Sequence, residues 1–71
     1  MKIVGKELIQ IDNNDIKNGT IEIPSNTEGI GQKTFFNCKK LKYVEIPKHI
    51  KSVSAYAFEN CSNLLVVSFE N

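Results

Sequence analysis

The sequence predicts a β-rich solenoid of short parallel strands, which short helical turns can join, with a β-hairpin-like cap at the N-terminus. Three observations predict this fold class: a gapless repeat of 23 residues, an apolar-x-x-apolar-x-apolar pattern within it, and a strong turn signal at Asn18-Gly19. A single unit of this length cannot bury its apolar face alone, whereas stacked units pair equivalent strands about 4.8 Å apart and share one core. We therefore expect equivalent residues of successive units to lie side by side.

The internal repeat aligns residues 21–43 with residues 44–66, and seven of the 23 positions are identical. The identical pairs are Glu22/Glu45, Ile23/Ile46, Pro24/Pro47, Phe35/Phe58, Asn37/Asn60, Cys38/Cys61 and Leu41/Leu64. Chance does not account for matching Pro, Phe, Cys and Leu at one period. The predicted organisation is a cap over residues 1–20 and repeats over residues 21–71, of which 67–71 form a partial third unit.

Each element of the second unit has a separate sequence signal. The apolar pattern is carried by Leu41, Val44 and Ile46. It ends in alternation, which predicts a short strand with one buried face, and Pro47 ends that strand because it has no amide donor. Val53 predicts a second short extended segment. Residues 57–61 then predict a tight or helical turn, in which Phe58 fills the core.

Equivalent positions of the stacked units predict a core of fourteen residues. They are Ile21, Ile23, Ile30, Phe35, Cys38, Leu41, Val44, Ile46, Val53, Phe58, Cys61, Leu64, Val67 and Phe69. Burial of each large aliphatic or aromatic side chain contributes roughly 1.5–3 kcal/mol, and the conformational entropy of the chain offsets most of the sum.

The first twenty residues do not follow the repeat and predict the cap. Residues 8–11 read as a strand with Ile9 and Ile11 on one face, and residues 12–15 read as a polar turn. Asn18-Gly19 is a hairpin-type turn signal directly before the first repeat strand. A cap of this kind covers the first unit of a stack, which would otherwise expose its apolar side.

Composition excludes several classes of function. The net charge is +1, with nine lysines and no arginine among the basic residues. This balance predicts neither nucleic-acid binding nor membrane attraction. The N-terminal segment lacks the apolar run of a signal peptide, and no stretch reaches the roughly 20 apolar residues of a membrane span. The compartment in which the protein works is therefore left open.

The repeat residues resemble a known family. The segments that carry the likeness are Ile23-Pro24, Ile30-Gly31, Phe35-x-x-Cys38-x-x-Leu41, Val44-x-Ile46-Pro47 and Ala57-Phe58-x-x-Cys61-x-x-Leu64. They are similar to the BspA-like leucine-rich repeats, a class with a 23-residue unit, over about residues 21–71. The N-terminal segment is similar to the leader that often opens such arrays. The resemblance implies a leucine-rich-repeat solenoid.

The same resemblance implies a binding function. Members are usually long arrays in bacteria and protists, including adhesive surface proteins and effectors of host-associated microbes, and they present a sheet surface to a protein partner. This chain departs from that pattern because it has about two full repeats, no export signal and no cap after Asn71. A fragment or a truncated member is therefore an expected alternative to a surface adhesin.

The residue types that usually carry chemistry have simpler interpretations here. Cys38 and Cys61 occupy equivalent positions, which predicts a ladder of buried thiols that serve as small apolar groups. His49 is the only histidine and has no predicted partner for catalysis or metal binding, so we expect a solvated turn residue. The sequence predicts no catalytic, cofactor-binding or metal-binding residues and no enzymatic activity.

Two surfaces remain as candidate binding sites. If Val44 and Ile46 face inward, five outward residues form a face for a protein partner: Tyr43, Glu45, Leu65, Val66 and Ser68. The leading hypothesis is a protein-interaction module that uses this face. The second is a structural unit that forms a homo-oligomer through an uncovered edge strand containing Val67 and Phe69, because open amides and an exposed aromatic ring invite pairing.

Overall fold

Two four-stranded sheets make up the computed structural model, which describes residues 1–71. The strands are β1 (Lys2–Val4), β2 (Glu7–Gln10), β3 (Ile16–Lys17), β4 (Thr20–Ile21), β5 (Gly29–Ile30), β6 (Tyr43–Ile46), β7 (Ser52–Val53) and β8 (Val66–Phe69). The first sheet has the order β1-β2-β5-β7, and the second has the order β3-β4-β6-β8. Each full repeat therefore contributes one strand to each sheet.

Parallel pairing follows the sequence period. Tyr43 pairs with Val66 in the second sheet, and Ile30 pairs with Val53 in the first, at a separation of 23 residues in both cases. The β2 strand also joins this ladder, because Leu8 pairs in parallel with Ile30. The result is a β-rich, helix-poor repeat fold in which equivalent residues are neighbours.

Antiparallel strands close the N-terminal side of both sheets. The β1 strand pairs antiparallel with β2, and β3 pairs antiparallel with β4. Asn18 and Gly19 join β3 to β4 with φ angles of 55° and 81°. Positive φ at both central residues is what a two-residue type I′ turn requires, which is why Asn-Gly is favoured there. The turn signal at these residues is confirmed.

The only helical element is the three-residue 3-10 turn Asn13–Asp15. Asp12 caps it: its side chain accepts a hydrogen bond from the Asn14 amide at 2.9 Å, and its own amide donates to Asp15 Oδ2 at 2.9 Å. No helix of this structure has the length and apolar character that a membrane crossing needs. Residues 57–60 form turns without a helix.

The core centres on the first repeat. Phe35 is completely buried and stacks on Phe58, with ring centroids 4.9 Å apart and an interplanar angle of 1°. Eight of the fourteen predicted core residues are buried, and they are Ile21, Ile23, Ile30, Phe35, Cys38, Leu41, Val44 and Ile46. These residues are covered on one side by the N-terminal strands or the preceding repeat and on the other by the following repeat, which is why they lose their contact with solvent.

Six predicted core positions are less buried than expected. Four side chains are half-buried, namely Val53, Phe58, Cys61 and Leu64. Val67 and Phe69 are exposed at 38% and 67%, because β8 is the edge strand of its sheet and no further repeat covers it. The prediction that these two residues belong to the core was wrong, whereas their place on an uncovered edge strand agrees with the second hypothesis.

Besides Gly29 and Gly31, four buried residues were missing from the predicted core. Leu8 is fully buried because β2 places it beside Ile30, although the sequence marked only Ile9 and Ile11 in that strand. Ala57, Thr27 and Thr34 are also buried. The two hydroxyls are satisfied by backbone carbonyls: Thr27 donates to Pro24 at 2.7 Å, and Thr34 Oγ1 lies 2.8 Å from the Leu8 carbonyl oxygen.

Candidate functional site

The outer face of the second sheet, as we define it, is built from two rows of side chains. Register places Lys17, Thr20, Tyr43 and Val66 in one row across β3, β4, β6 and β8. Glu45 and Ser68 pair in the next outward row, two residues further along the strands. Paired residues of neighbouring strands point to the same side of a sheet, so these side chains share one surface.

The centre of this face is apolar. Tyr43 and Val66 are adjacent in register, with 48% and 50% of their surface exposed, and Leu65 directly before β8 is 69% exposed. Leu65 is held in place because its amide donates to the Lys42 carbonyl at 2.8 Å. Contiguous exposed apolar side chains on a repeat sheet are typical of contact surfaces. The structure therefore brings together Tyr43, Leu65 and Val66 as one patch.

Acidic side chains surround a depression at the far end of the strands. Glu22, Glu45 and Glu70 line it together with His49 and Pro47. No lysine amino group lies within 4.0 Å of these three carboxylates, since the only ion pairs of the chain join other residues. The Lys48 amide donates to Glu70 Oε1 at 3.0 Å and fixes that side chain. This end of the face is therefore negative.

Basic side chains lie at the opposite end, where the parallel strands begin. Lys42 directly precedes β6. Its side chain packs against Gly19 of the preceding turn, where an added Cβ atom would lie only 3.2 Å from Lys42 Cβ. Lys17 lies beside Thr20 at the start of β4. Lys17 and Lys42 have no carboxylate within 4.0 Å. Lys17 lies in the same row as Tyr43 and Val66, and Lys42 lies beside its repeat equivalent Leu65, so the basic and the apolar residues are level with each other along the strands.

Charges on another side of the molecule are paired instead. Glu28 lies 3.3 Å from Lys6 Nζ and 3.6 Å from Lys51 Nζ, at equivalent positions of neighbouring repeats. The hydrogen bond from Lys6, followed by the positive charge of Lys51, lowers the pKa of the Glu28 carboxyl. Lysine and glutamate residues of this chain thus do find partners where the repeats place them together. The separation of charge on the outer face is a local property.

The predicted site residues are distributed over two different environments. Tyr43, Glu45, Val66 and Ser68 lie on the exposed side of the second sheet, and Leu65 is exposed directly before β8. Sequence reasoning missed Lys17, Lys42 and Glu70 as parts of this surface. Lys42 could have been found by extending the 23-residue register to the residue before each strand, whereas Lys17 is placed by the antiparallel pairing of β3 with β4 and Glu70 by its hydrogen bond to the Lys48 amide.

The edge strand β8 carries the second candidate surface. Val67 and Phe69 point to the side that equivalent residues Val44 and Ile46 bury, yet both remain exposed. On its other side β8 is fully engaged with β6: the Val66 amide donates to Lys42 and the Glu70 amide donates to Ile46. The free edge of β8 can therefore accept another strand without disturbing the existing ladder.

The two cysteines are free thiols. Burial raises the pKa of both, which keeps them protonated, and Cys61 Sγ donates to the Phe35 carbonyl at 2.9 Å. A reactive cysteine needs a lowered pKa, so these groups are not activated nucleophiles. Cys38 is buried and Cys61 is half-buried. The predicted arrangement as neighbouring buried thiols is thus correct for Cys38 and only partly correct for Cys61.

His49 is not the solvated turn residue that the sequence predicted. It is half-buried, and its Nε2 lies 3.0 Å from the Pro24 carbonyl oxygen, which accepts a hydrogen bond from it. The equivalent turns of two repeats are thereby joined. No group of three His, Cys, Asp or Glu side chains is arranged to hold a metal ion.

Comparison with known proteins places this arrangement in a family. The family described as "BspA type Leucine rich repeat region (6 copies)" matches residues 7–71. The match begins at the first residue of β2 and includes all later strands. No curated protein and no solved structure matches the chain. Leucine-rich repeats generally mediate protein–protein interactions. The chain therefore belongs to the BspA-type leucine-rich repeat family.

Proposed function

We propose that the chain is a short solenoid that works as a protein-interaction module and presents the outer face of its second sheet to a protein partner. The observation that carries this proposal is the contiguous patch of Tyr43, Leu65 and Val66, in which each side chain is about half exposed or more. Large aromatic and aliphatic side chains at the centre of a surface are the groups that dominate binding energy. The charged side chains around this patch supply orientation and specificity.

The same proposal treats the chain as non-enzymatic, without cofactor, nucleic-acid or membrane partners. The imidazole of His49 is engaged by Pro24, and the two thiols have a raised pKa, which argues against nucleophilic catalysis. Residues 1–20 are proposed as the N-terminal cap, supported by the antiparallel strands β1 and β3. A setting in a surface or effector protein of a host-associated microbe is supported by the family resemblance.

The test compares two exposed tyrosines with a photo-crosslinking amino acid in cells of the source organism. Tyr43 lies on the outer face and Tyr56 lies in the turn after β7, and their exposures are 48% and 56%. We expect a discrete crosslinked species when the probe replaces Tyr43, and none when it replaces Tyr56. The same band pattern from both positions, or none from Tyr43, would contradict the proposal.

A second function is favoured by β8, namely assembly through the free edge of that strand. Its support is the exposure of Phe69 at 67% at a position that the preceding repeat buries. Phe69→Glu is expected to abolish end-to-end association in light scattering on a size-exclusion column. A monomer at every concentration, or an oligomer that survives this change, would contradict assembly through β8.

A further inference from the structure

The edge strand β8 lacks the features that keep sheet edges apart, and we propose that two copies of this chain pair β8 antiparallel with itself, so that their outer faces join into one surface. This inference rests on the assembly function proposed above and specifies its strand direction and register. It also connects assembly with the binding face, because β8 contributes Val66 and Ser68 to that face.

The four edge strands of the two sheets are β1, β7, β3 and β8. Natural edges avoid pairing by being short, by carrying lysine or proline, or by a bulge. The β1 strand has Lys2 and a register irregularity beside it. The β3 and β7 strands have two residues each, and the Ile16 amide of β3 already donates to the Asn13 carbonyl. Only β8 has four residues in unbroken register, Val66–Phe69, with no lysine or proline.

The backbone of β8 alternates between two directions. The amides of Val66 and Glu70 donate to carbonyls of β6 and of Lys42 directly before it, so residues 66, 68 and 70 face that strand. In a parallel ladder the residues between them turn both their amide and their carbonyl to the opposite side. Because β8 is the last strand of its sheet, the backbone groups of Val67 and Phe69 point away from every other strand.

These free groups determine the register of a pair of β8 strands. In an antiparallel ladder, two residues that face each other with inward backbone groups exchange both of their hydrogen bonds. Val67 opposite Phe69 of a second copy therefore uses all the free amides and carbonyls of both residues. The two-fold axis then passes beside Ser68, and the contact is isologous, so the pair of Val67 with Phe69 occurs twice.

The side chains favour the same register. Val67 and Phe69 are 38% and 67% exposed, and a β-branched residue opposite an aromatic ring is a cross-strand pair that stabilises sheets. The two neighbouring registers centre on Val67 or on Phe69 and place the other residue opposite Leu65 or Asn71. The Leu65 amide already donates to Lys42, and Asn71 lies outside β8. Each of these registers therefore loses hydrogen bonds.

Pairing of β8 enlarges the candidate binding face. The two-fold axis is perpendicular to the sheet, so the outer sides of both copies point in one direction, and the order β3-β4-β6-β8 continues through the second copy in reverse. Val66 then lies beside Glu70 of the second copy. The patch of Tyr43, Leu65 and Val66 occurs twice on one continuous sheet. A dimer of this kind offers two equal sites and binds a partner with two matching sites more tightly.

Cysteine crosslinking tests the register. Ser68 lies opposite Ser68 of the second copy in a non-hydrogen-bonded pair, where Cα atoms are about 4.5 Å apart, a distance that a disulfide tolerates. Val66 is the matched control on the same strand and the same side, but it lies opposite Glu70 and about 14 Å from its own equivalent. Under mild oxidation with copper phenanthroline, Ser68→Cys is expected to crosslink at least about tenfold more than Val66→Cys. The product has twice the chain mass of 8.0 kDa, and the wild type, with free Cys38 and Cys61, gives the background.

A second measurement tests the pairing without oxidation. Light scattering on a size-exclusion column from about 1 μM to about 1 mM is expected to show a wild-type dimer. Val67→Lys places a lysine on the edge and is expected to weaken association at least about tenfold. Ser52→Lys introduces the same charge on the edge strand β7 and is expected to leave association unchanged. Circular dichroism shows whether each variant is folded.

Three results would overturn the proposal. They are a wild type that stays monomeric over the whole range, crosslinking of Val66→Cys that equals or exceeds that of Ser68→Cys, and association that Val67→Lys leaves unchanged. An oligomer that Phe69→Glu disrupts but Ser68→Cys does not crosslink would retain assembly through β8 and exclude this register. A monomeric wild type with a specific crosslink from Tyr43 to another protein would retain the binding function of the outer face alone.

Discussion

The stacked pair of Phe35 and Phe58 allows a quantitative test of the repeat arrangement. We consider the substitution of each by leucine, alone and together, because alanine would remove too much of a small core. A chain of 71 residues is expected to have a free energy of unfolding of about 4–10 kcal/mol. A Phe→Ala change in a buried position costs about 3–5 kcal/mol, which would unfold much of the population.

The magnitudes follow from burial and ring geometry. Phe35 is completely buried, so Phe35→Leu should cost about 1.5 kcal/mol in packing, plus the stacking contribution. The rings are parallel with centroids 4.9 Å apart, an arrangement that contributes about 0.5–1.5 kcal/mol beyond area burial. Phe58 is half-buried and should lose less packing energy but the same stacking energy. The double variant should therefore be more stable than the sum of the single losses predicts.

Urea unfolding followed by circular dichroism at one protein concentration gives the four free energies of this double-mutant cycle. Phe36→Leu is the matched control, because this neighbouring ring is 38% exposed and outside the stack, and it should change stability by less than about 0.5 kcal/mol. A coupling energy near zero between positions 35 and 58, or an equal loss from Phe36→Leu, would refute the stacked repeat geometry.

Three further predictions concern single residues. Asn37 has a φ angle of 58°, and its repeat equivalent Asn60 has 60°. Asn37→Val should therefore lower the free energy of unfolding by about 1–2 kcal/mol, and Asn37→Gly should lower it by less. Thermal melts measure both losses, and equal losses would exclude backbone strain as the cause. The hydrogen bond from the Asp12 amide lowers the pKa of Asp15, so its folded-state pKa is below the unfolded value of about 3.9. Its stabilising contribution is therefore complete above about pH 4 and is lost as pH falls through the folded-state pKa, and Asp15→Asn should reduce this acid dependence of stability. Finally, burial raises the pKa of Cys38 and Cys61. Alkylation of the folded chain by iodoacetamide near pH 8 should therefore be slower than alkylation of the chain unfolded in urea, and slower at Cys38 than at Cys61. Rapid labelling of Cys38 in the folded chain would contradict its burial.

Several details of the repeat could be predicted because they depend on neighbours along the chain or on the period itself. Asn37 and Asn60 are identical because both adopt positive φ, a conformation that asparagine tolerates better than most residues. The pairing of Tyr43 with Val66 follows from the 23-residue alignment, since equivalent residues of stacked repeats meet. The Asn18-Gly19 turn is local and needs no distant contact.

The binding face was predictable only in part. Alternation in β6 places Tyr43 and Glu45 on the side opposite Val44 and Ile46, and this followed from strand periodicity alone. The gathering of Glu70 with Glu22 and Glu45 did not follow, because Glu70 lies outside β8 and is positioned by the Lys48 amide of the previous repeat. Such contacts depend on how far apart the turns lie in space.

The sequence by itself determined the period of the repeat and the register of its strands, because both follow from the spacing of apolar side chains, prolines and turn residues. Only the tertiary structure decided how deeply each position is buried. Val44 and Val67 are equivalent in sequence, but Val44 is 2% exposed and Val67 is 38% exposed, because Val44 has a strand on both sides and Val67 has one. Burial is a property of the neighbours that a residue acquires, and only the folded stack supplies them.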